Sequence, residues 1–279
     1  MRSFLVAAVL LIASCAALVM PGVSRADCAP GPGSFDCDLQ ARISSADAYL
    51  AGRPGAVGYV LRDRETGAMY RNSHAGDLIW TASTIKLAMV VDLLTRQRAG
   101  TLSLSADDRR LIAAMLHSSD DDAADTLWSR YGGADHQTFN TAFPRYGMTD
   151  LQPQRGFTDV YPYWGFQKST ANDLDRLINY VLTTFDPSDR ADVVSQLQQV
   201  APDQQWGVWG AGASMTPGNK DGWSLEQGGW VVNSVGFAGP GQRYTLAVMN
   251  SLGNAGGYDD GVETTTQLSR LLLAGRQSG

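Results

Sequence analysis

The chain has 279 residues, 44 % of them hydrophobic and 18 % charged, and 28 acidic against 22 basic side chains give a formal charge of −6. A net acidic chain with no basic run does not track phosphates, so nucleic acid is excluded as a partner. The length suffices for one large domain, or a domain with a subdomain, around a substantial core.

In chain order, the first element is a targeting segment. Arg2 precedes an apolar run over 4–20, then Pro21-Gly22 and the small-residue site Ser24-Arg25-Ala26, so residues 1–26 read as a signal peptide and the product as secreted. Ile12-Ala13-Ser14-Cys15 also resembles a lipobox, which would make a lipoprotein anchored at Cys15, and an uncleaved anchor is the third option. No later segment is long and apolar enough to span a membrane. Residues 27–37 form a Pro/Gly-rich lead-in. There Cys28 and Cys37 are an even pair, expected to form a disulfide in an exported protein, with free thiols and a metal pair as the weaker readings. His74, His117 and His136 show no ligand spacing with the cysteines or with each other, so no metal is expected.

Segments 55–63 and 68–72, joined by Glu65-Thr66-Gly67, predict a hairpin. Ser83-Thr84-Ile85-Lys86 follows, opening a strongly apolar run. Residues i and i+3 share a helical face, so a helix here puts a hydroxyl beside an amine. Desolvation lowers a lysine pKa and suits Lys86 to act as a neutral base. Taken alone, the tetrapeptide reads more readily as an N-terminal serine and a snorkelling lysine. The chain from 87 to about 200 is mainly helical by apolar spacing, as in Leu174, Leu177, Ile178 and Leu182. Ser119-Asp120-Asp121 lies within it, and Lys220-Asp221-Gly222-Trp223 follows it. A second hairpin is expected over 230–238 and 243–250, joined by Gly239-Pro240-Gly241-Gln242, before a closing helix. Trp206, Trp209, Trp223 and Trp230 gather around the third motif. Core and cleft-wall packing is expected of them, with glycan stacking as the other reading.

In this order, the three segments resemble the S-x-x-K, S-D-N and K-T-G elements of the class A β-lactamase and penicillin-binding protein superfamily. The resemblance runs from about residue 39 to about 273. It implies an α+β fold: a five-stranded antiparallel sheet flanked by helices (38–86 and 206–275) beside an all-α subdomain (87–205), with the active site between them. It further implies Ser83 as nucleophile, Lys86 as its proton acceptor or relay, and Ser119 as the hydroxyl that passes a proton to the leaving group. Lys220 would support Ser119, and the backbone N–H groups of Ser83 and Trp223 would form the oxyanion hole. Gly222 would let substrate lie close to the strand. The reaction would be hydrolysis of an amide or ester through an acyl-enzyme, on a small-molecule or cell-wall peptide-like substrate, by a monomer that needs no cofactor. A catalytically silent binding module on the same fold is the alternative.

Three departures bear on activity. The loop over 147–168, where class A enzymes carry the glutamate that activates the deacylating water, contains no Glu; its acids are Asp150 and Asp159. Asp121 stands for the asparagine of S-D-N, and an ionised carboxylate accepts hydrogen bonds but cannot donate one. Asp221 stands for the hydroxyl residue of K-T-G. A carboxylate there would repel a substrate carboxylate by about 4 kcal/mol at 4 Å. On this reading the protein is a poor β-lactamase, whose substrate carries an amine or amide where penicillin has its acid. Ser118 adjoins Ser119, and the small helical continuation Asp122-Ala123-Ala124-Asp125 favours Ser119 as the motif serine.

Overall fold

The computed structural model describes residues 28, 30–226 and 228–276. The predicted leader, 1–26, and the lipobox cysteine Cys15 lie outside the described residues. Cys28 and Cys37 form a disulfide with their Cα atoms 5.7 Å apart. It ties the lead-in to α1 (Cys37–Leu50), whose first turn is capped by the Asp36 carboxylate.

Strands β1 (Ala56–Asp63) and β2 (Met69–Arg71) form the first predicted hairpin. Near the other end, β6 (Gly218–Glu226), β7 (Gly229–Ala238) and β8 (Tyr244–Gly253) form a meander. They assemble into one antiparallel sheet of order β2-β1-β8-β7-β6, because β8 returns to pair along the whole of β1. The expected α+β class and the five-stranded antiparallel sheet are both present.

Alternation divides the sheet between two cores. On one face, Tyr59, Leu61, Leu246 and Val248 pack with Leu39 and Ile43 of α1 and with Leu268 and Leu272 of the closing helix α8 (Tyr258–Leu273). On the other, Val60, Val235, Phe237 and Met249 meet the larger core, which is centred on α2 (Ile85–Arg98). Residues 85–94 of α2 are all buried, which is why nearly every side chain there is apolar. Around it lie α3 (Ala106–His117), α4 (Asp121–Tyr131), α5 (Thr138–Ala142), α6 (Ala171–Thr183) and α7 (Pro187–Gln198).

The middle is not helical throughout. A small sheet of order β3-β5-β4 is built from Ile79–Trp80, Gln167–Ser169 and Gln152–Pro153. Pro153, Gly156, Pro162 and Gly165 interrupt any helix between β4 and β5, so that stretch crosses the molecule as a loop. Among the described residues, no helix is long and apolar enough to cross a membrane.

Candidate active site

The segment leading into Ser83 is held from both sides. β3 pairs with β5, and the Thr81 N–H and hydroxyl both donate to the Gln167 carbonyl, at 2.9 and 3.2 Å. From the main sheet, the buried Asn233 side chain donates to the carbonyls of Trp80 (2.8 Å) and Thr81 (3.2 Å), and its Oδ1 accepts from Asn250 N–H. Ala82 then adopts φ +45°, unusual for a residue with a Cβ. Such a conformation costs about 1–3 kcal/mol and persists where the surroundings over-determine it. Ser83 follows in the single 3-10 turn that opens α2.

Lys86, one turn on, has no exposed surface. Its amine donates to the Ser119 carbonyl at 2.6 Å and to the Asp121 carboxylate, and lies 4.5 Å from the centre of the Trp164 ring. None of the hydrogen bonds among described residues joins it to the Ser83 hydroxyl. Burial lowers the Lys86 pKa, and the hydrogen bond and charge of Asp121 oppose that shift. Asp121 opens α4 and its side chain is 71 % exposed, so one carboxylate faces both the buried amine and the solvent.

Across the groove, Lys220 on β6 donates to Ser119 Oγ at 2.8 Å and to the Asp221 carbonyl at 2.7 Å. Ser119 is the second residue here at positive φ, +59°, and Lys86 and Lys220 grip its carbonyl and its hydroxyl respectively. The neighbouring Ser118 hydroxyl donates back to Ala114 in its own helix. Burial, together with the nearby charge of Lys86, pushes the Lys220 pKa down to about 7. The two amines thus fix one residue from two directions, Lys86 through its carbonyl and Lys220 through its hydroxyl.

β6 is an edge strand. The Asp221 carbonyl is taken by the Lys220 side chain on the open edge. By antiparallel alternation the Trp223 N–H, two residues on, points the same way. A Cβ built on Gly222 would come within 2.7 Å of Ser83 N, so this strand lies directly against the Ser83 backbone.

Asp221 does not face the groove, which corrects the expectation that its carboxylate meets a substrate acid. Lys220 takes the inward position on β6, so Asp221 points to the opposite face, near Ser234 and Gly207, and is 1 % exposed. Neither carboxyl oxygen receives a well-directed hydrogen bond from a described residue, and burial raises its pKa well above the usual carboxylate range. The anticipated carboxylate repulsion therefore has no source at this residue. Replacing Asp221 with Asn, which keeps the shape of the buried side chain, is expected to leave Ser83 reactivity unchanged. Asp121→Asn removes the anion that holds the Lys86 ammonium charged. Its reactivity should rise at lower pH than in the wild type, as followed by the pH profile of Ser83 labelling.

Asp159 is exposed, and its charge is not among those acting on Lys86. Asp150 pairs with Arg176. The loop instead brings Trp164 to the amine. The Trp164 Nε1–H and the Tyr163 hydroxyl both donate to Asp125 Oδ1 at 2.6 Å. Sequence reasoning missed Asn233, Asp125 and Trp164. Asn233 sits inside a strand and Asp125 inside the helical continuation, where their types could signal only a polar residue. Trp164 lies in an aperiodic loop. The tryptophans near the third motif pack as aromatic neighbours: Trp206 on Trp223 at 5.9 Å, with Tyr258 joining Trp206, Trp223 and Trp230.

Sheet order and the central buried helix give the fold of the class A β-lactamases. Solved structures agree. A β-lactamase from Streptosporangium roseum superposes with TM-score 0.68 at 17 % identity, over 84 % of this chain and 97 % of that one. A β-lactamase from Xanthomonas campestris gives 0.67 at 17 % identity over 84 % and 96 %, and an ancestral class A β-lactamase gives 0.66 at 16 % over 84 % and 98 %. No family model matches the chain. Among curated proteins, the chain is 30 % identical over 221 residues to the "Putative lipoprotein LppW" of Mycobacterium tuberculosis and of Mycobacterium bovis, covering 76 % of this chain and 68 % of theirs. The chain belongs to the LppW family, and its fold is that of the class A β-lactamases.

Proposed function

We propose that the protein is an exported serine hydrolase that cleaves an amide or ester bond through an acyl-enzyme on Ser83. One observation carries the reading: Ser119 is held through its carbonyl by Lys86 and through its hydroxyl by Lys220, whose strand lies against the Ser83 backbone at Gly222. In the proposed cycle, neutral Lys86 takes the Ser83 proton as Oγ attacks the carbonyl. The backbone N–H groups of Ser83 and Trp223 receive the oxyanion, and Ser119 passes a proton to the departing nitrogen or oxygen. Gly222, expected from the sequence to make room for substrate, instead lets β6 lie against the backbone of Thr81, Ser83 and Thr84. Export is supported by the disulfide and by the description of LppW as a lipoprotein, which also keeps an anchored form at Cys15 in play. With Asp121 an acceptor only, the amide carbonyl of a penicillin side chain loses a donor, which supports a poor β-lactamase and a cell-wall peptide-like substrate bearing an N–H at that point.

Intact-protein mass spectrometry after exposure to a fluorophosphonate tests the reading. One adduct per chain is expected in the wild type and none in Ser83→Ala. A competing reading, the silent binding module, draws on the loop that presents an indole where an acid would activate water. An unlabelled, folded wild type would select it.

A further inference from the structure

We propose that Trp164 sets the lifetime of the acyl-enzyme by closing the loop side of Lys86 to water; this rests on Ser83 being the nucleophile. The Lys86 amine is enclosed on three sides, by the Ser119 carbonyl, the Asp121 carboxylate and the face of the Trp164 ring. The ring is not loosely placed. Trp164 is 5 % exposed and anchored through Nε1 to Asp125, which also takes the Tyr163 hydroxyl. On either side of that pair the loop is pinned again, by Trp128 Nε1 to the Pro162 carbonyl at 3.0 Å and by Gln167 Nε2 to the Tyr163 carbonyl at 2.9 Å.

Hydrolysis of the acyl-enzyme requires a water oxygen to bond to the ester carbon while a base accepts its proton. The carbon–Oγ bond then breaks, and Ser83 Oγ regains a proton. An indole N–H is a donor only and cannot take the water's proton. Lys86 can, but Trp164 covers the side from which the loop would deliver water. Acylation also hands the Ser83 proton to Lys86, but its nucleophile is Ser83 Oγ of the chain itself and no water has to enter, so the ring leaves that half-reaction open and slows the other. The acyl-enzyme therefore accumulates.

Rapid mixing with 4-nitrophenyl acetate separates the two halves. The wild type should release a burst of one 4-nitrophenolate per active site, followed by a slow phase. Trp164→Ala should keep the burst and accelerate the slow phase by about tenfold or more, since admitting water to a positioned base recovers part of a general-base effect. Trp164→Phe should stay close to the wild type, because a ring still fills the space. Asp125→Ala, which frees the indole without emptying its site, should accelerate the slow phase to a lesser degree and stands in if Trp164→Ala does not fold. A burst followed by an unchanged slow phase in Trp164→Ala, or in Asp125→Ala where that variant stands in, overturns the inference. So does loss of the burst in a folded Trp164→Ala, which would make Trp164 a support for Lys86. No burst and no phosphonate adduct in the wild type would instead overturn the nucleophile itself.

Discussion

Lys86→Met is expected to lower the rate of Ser83 acylation by about 10²–10⁴-fold, the usual contribution of a positioned general base, while the protein stays folded. Methionine has nearly the length of lysine and can fill the same wholly buried channel along α2. The substitution removes the proton acceptor, and it also frees the Ser119 carbonyl and the Asp121 carboxylate from their shared donor. Asp121 is exposed and rehydrates at little cost. The wild-type pH profile carries the sign. The base works only as the neutral amine, so acylation should rise with pH through a Lys86 pKa that burial has moved below the ordinary lysine value. Lys220 has its own lowered pKa, about 7, through which it loses the charge facing Ser119. Because the two amines repel each other, the limbs of the profile belong to the pair. Stopped-flow acylation from pH 5 to 10 should show the rising limb in the wild type and lose it in Lys86→Met. An identical rising limb in that variant would remove Lys86 from the mechanism.

Much of this arrangement is legible in the residues before any coordinates. The place of Lys86 in a strongly apolar run already implies a buried amine, and the two hairpins already imply an antiparallel sheet. What joins Ser83 to Ser119 and Lys220 is tertiary, since they lie more than thirty and one hundred residues apart; only the resemblance of the motifs brought them together. The orientation of Asp221 was within reach of the sequence. Strand side chains alternate, so once Lys220 points into the groove Asp221 has to point out of it. Motif matching by position concealed this, because it assigned Asp221 the task of the residue it replaces. Trp164 was out of reach for a different reason: the chain between β4 and β5 has no hydrophobic period, and its path follows from hydrogen bonds to Asp125 and Trp128 that no local pattern announces.

Gly222→Ala should abolish most of the acylation with only a modest loss of stability. A methyl group on Gly222 would sit 2.6 Å from Thr84 N, 2.7 Å from Ser83 N and 3.0 Å from Thr81 O, and all three are backbone atoms. No side chain can swing away to make room. Thr81 is fixed by Gln167 and Asn233, and Thr84 is buried at the head of α2, so the mobile partner is β6, which among the described residues pairs with no strand on its outer edge. Moving the strand outward costs about 1–3 kcal/mol, as for other overpacked sites. The same movement carries the Trp223 N–H and the Lys220 amine away from Ser83 and Ser119. A displacement of about 1 Å in such a constellation is worth about 10²-fold in rate. Gly76→Ala is the control, because its Cβ would meet nothing nearer than Asn172 Nδ2 at 3.7 Å. Thermal melts and phosphonate labelling rates of the two variants separate the effects. If Gly222→Ala melts lower yet labels at the wild-type rate, β6 packs against the nucleophile without serving it, and the oxyanion donor has to be sought on another strand.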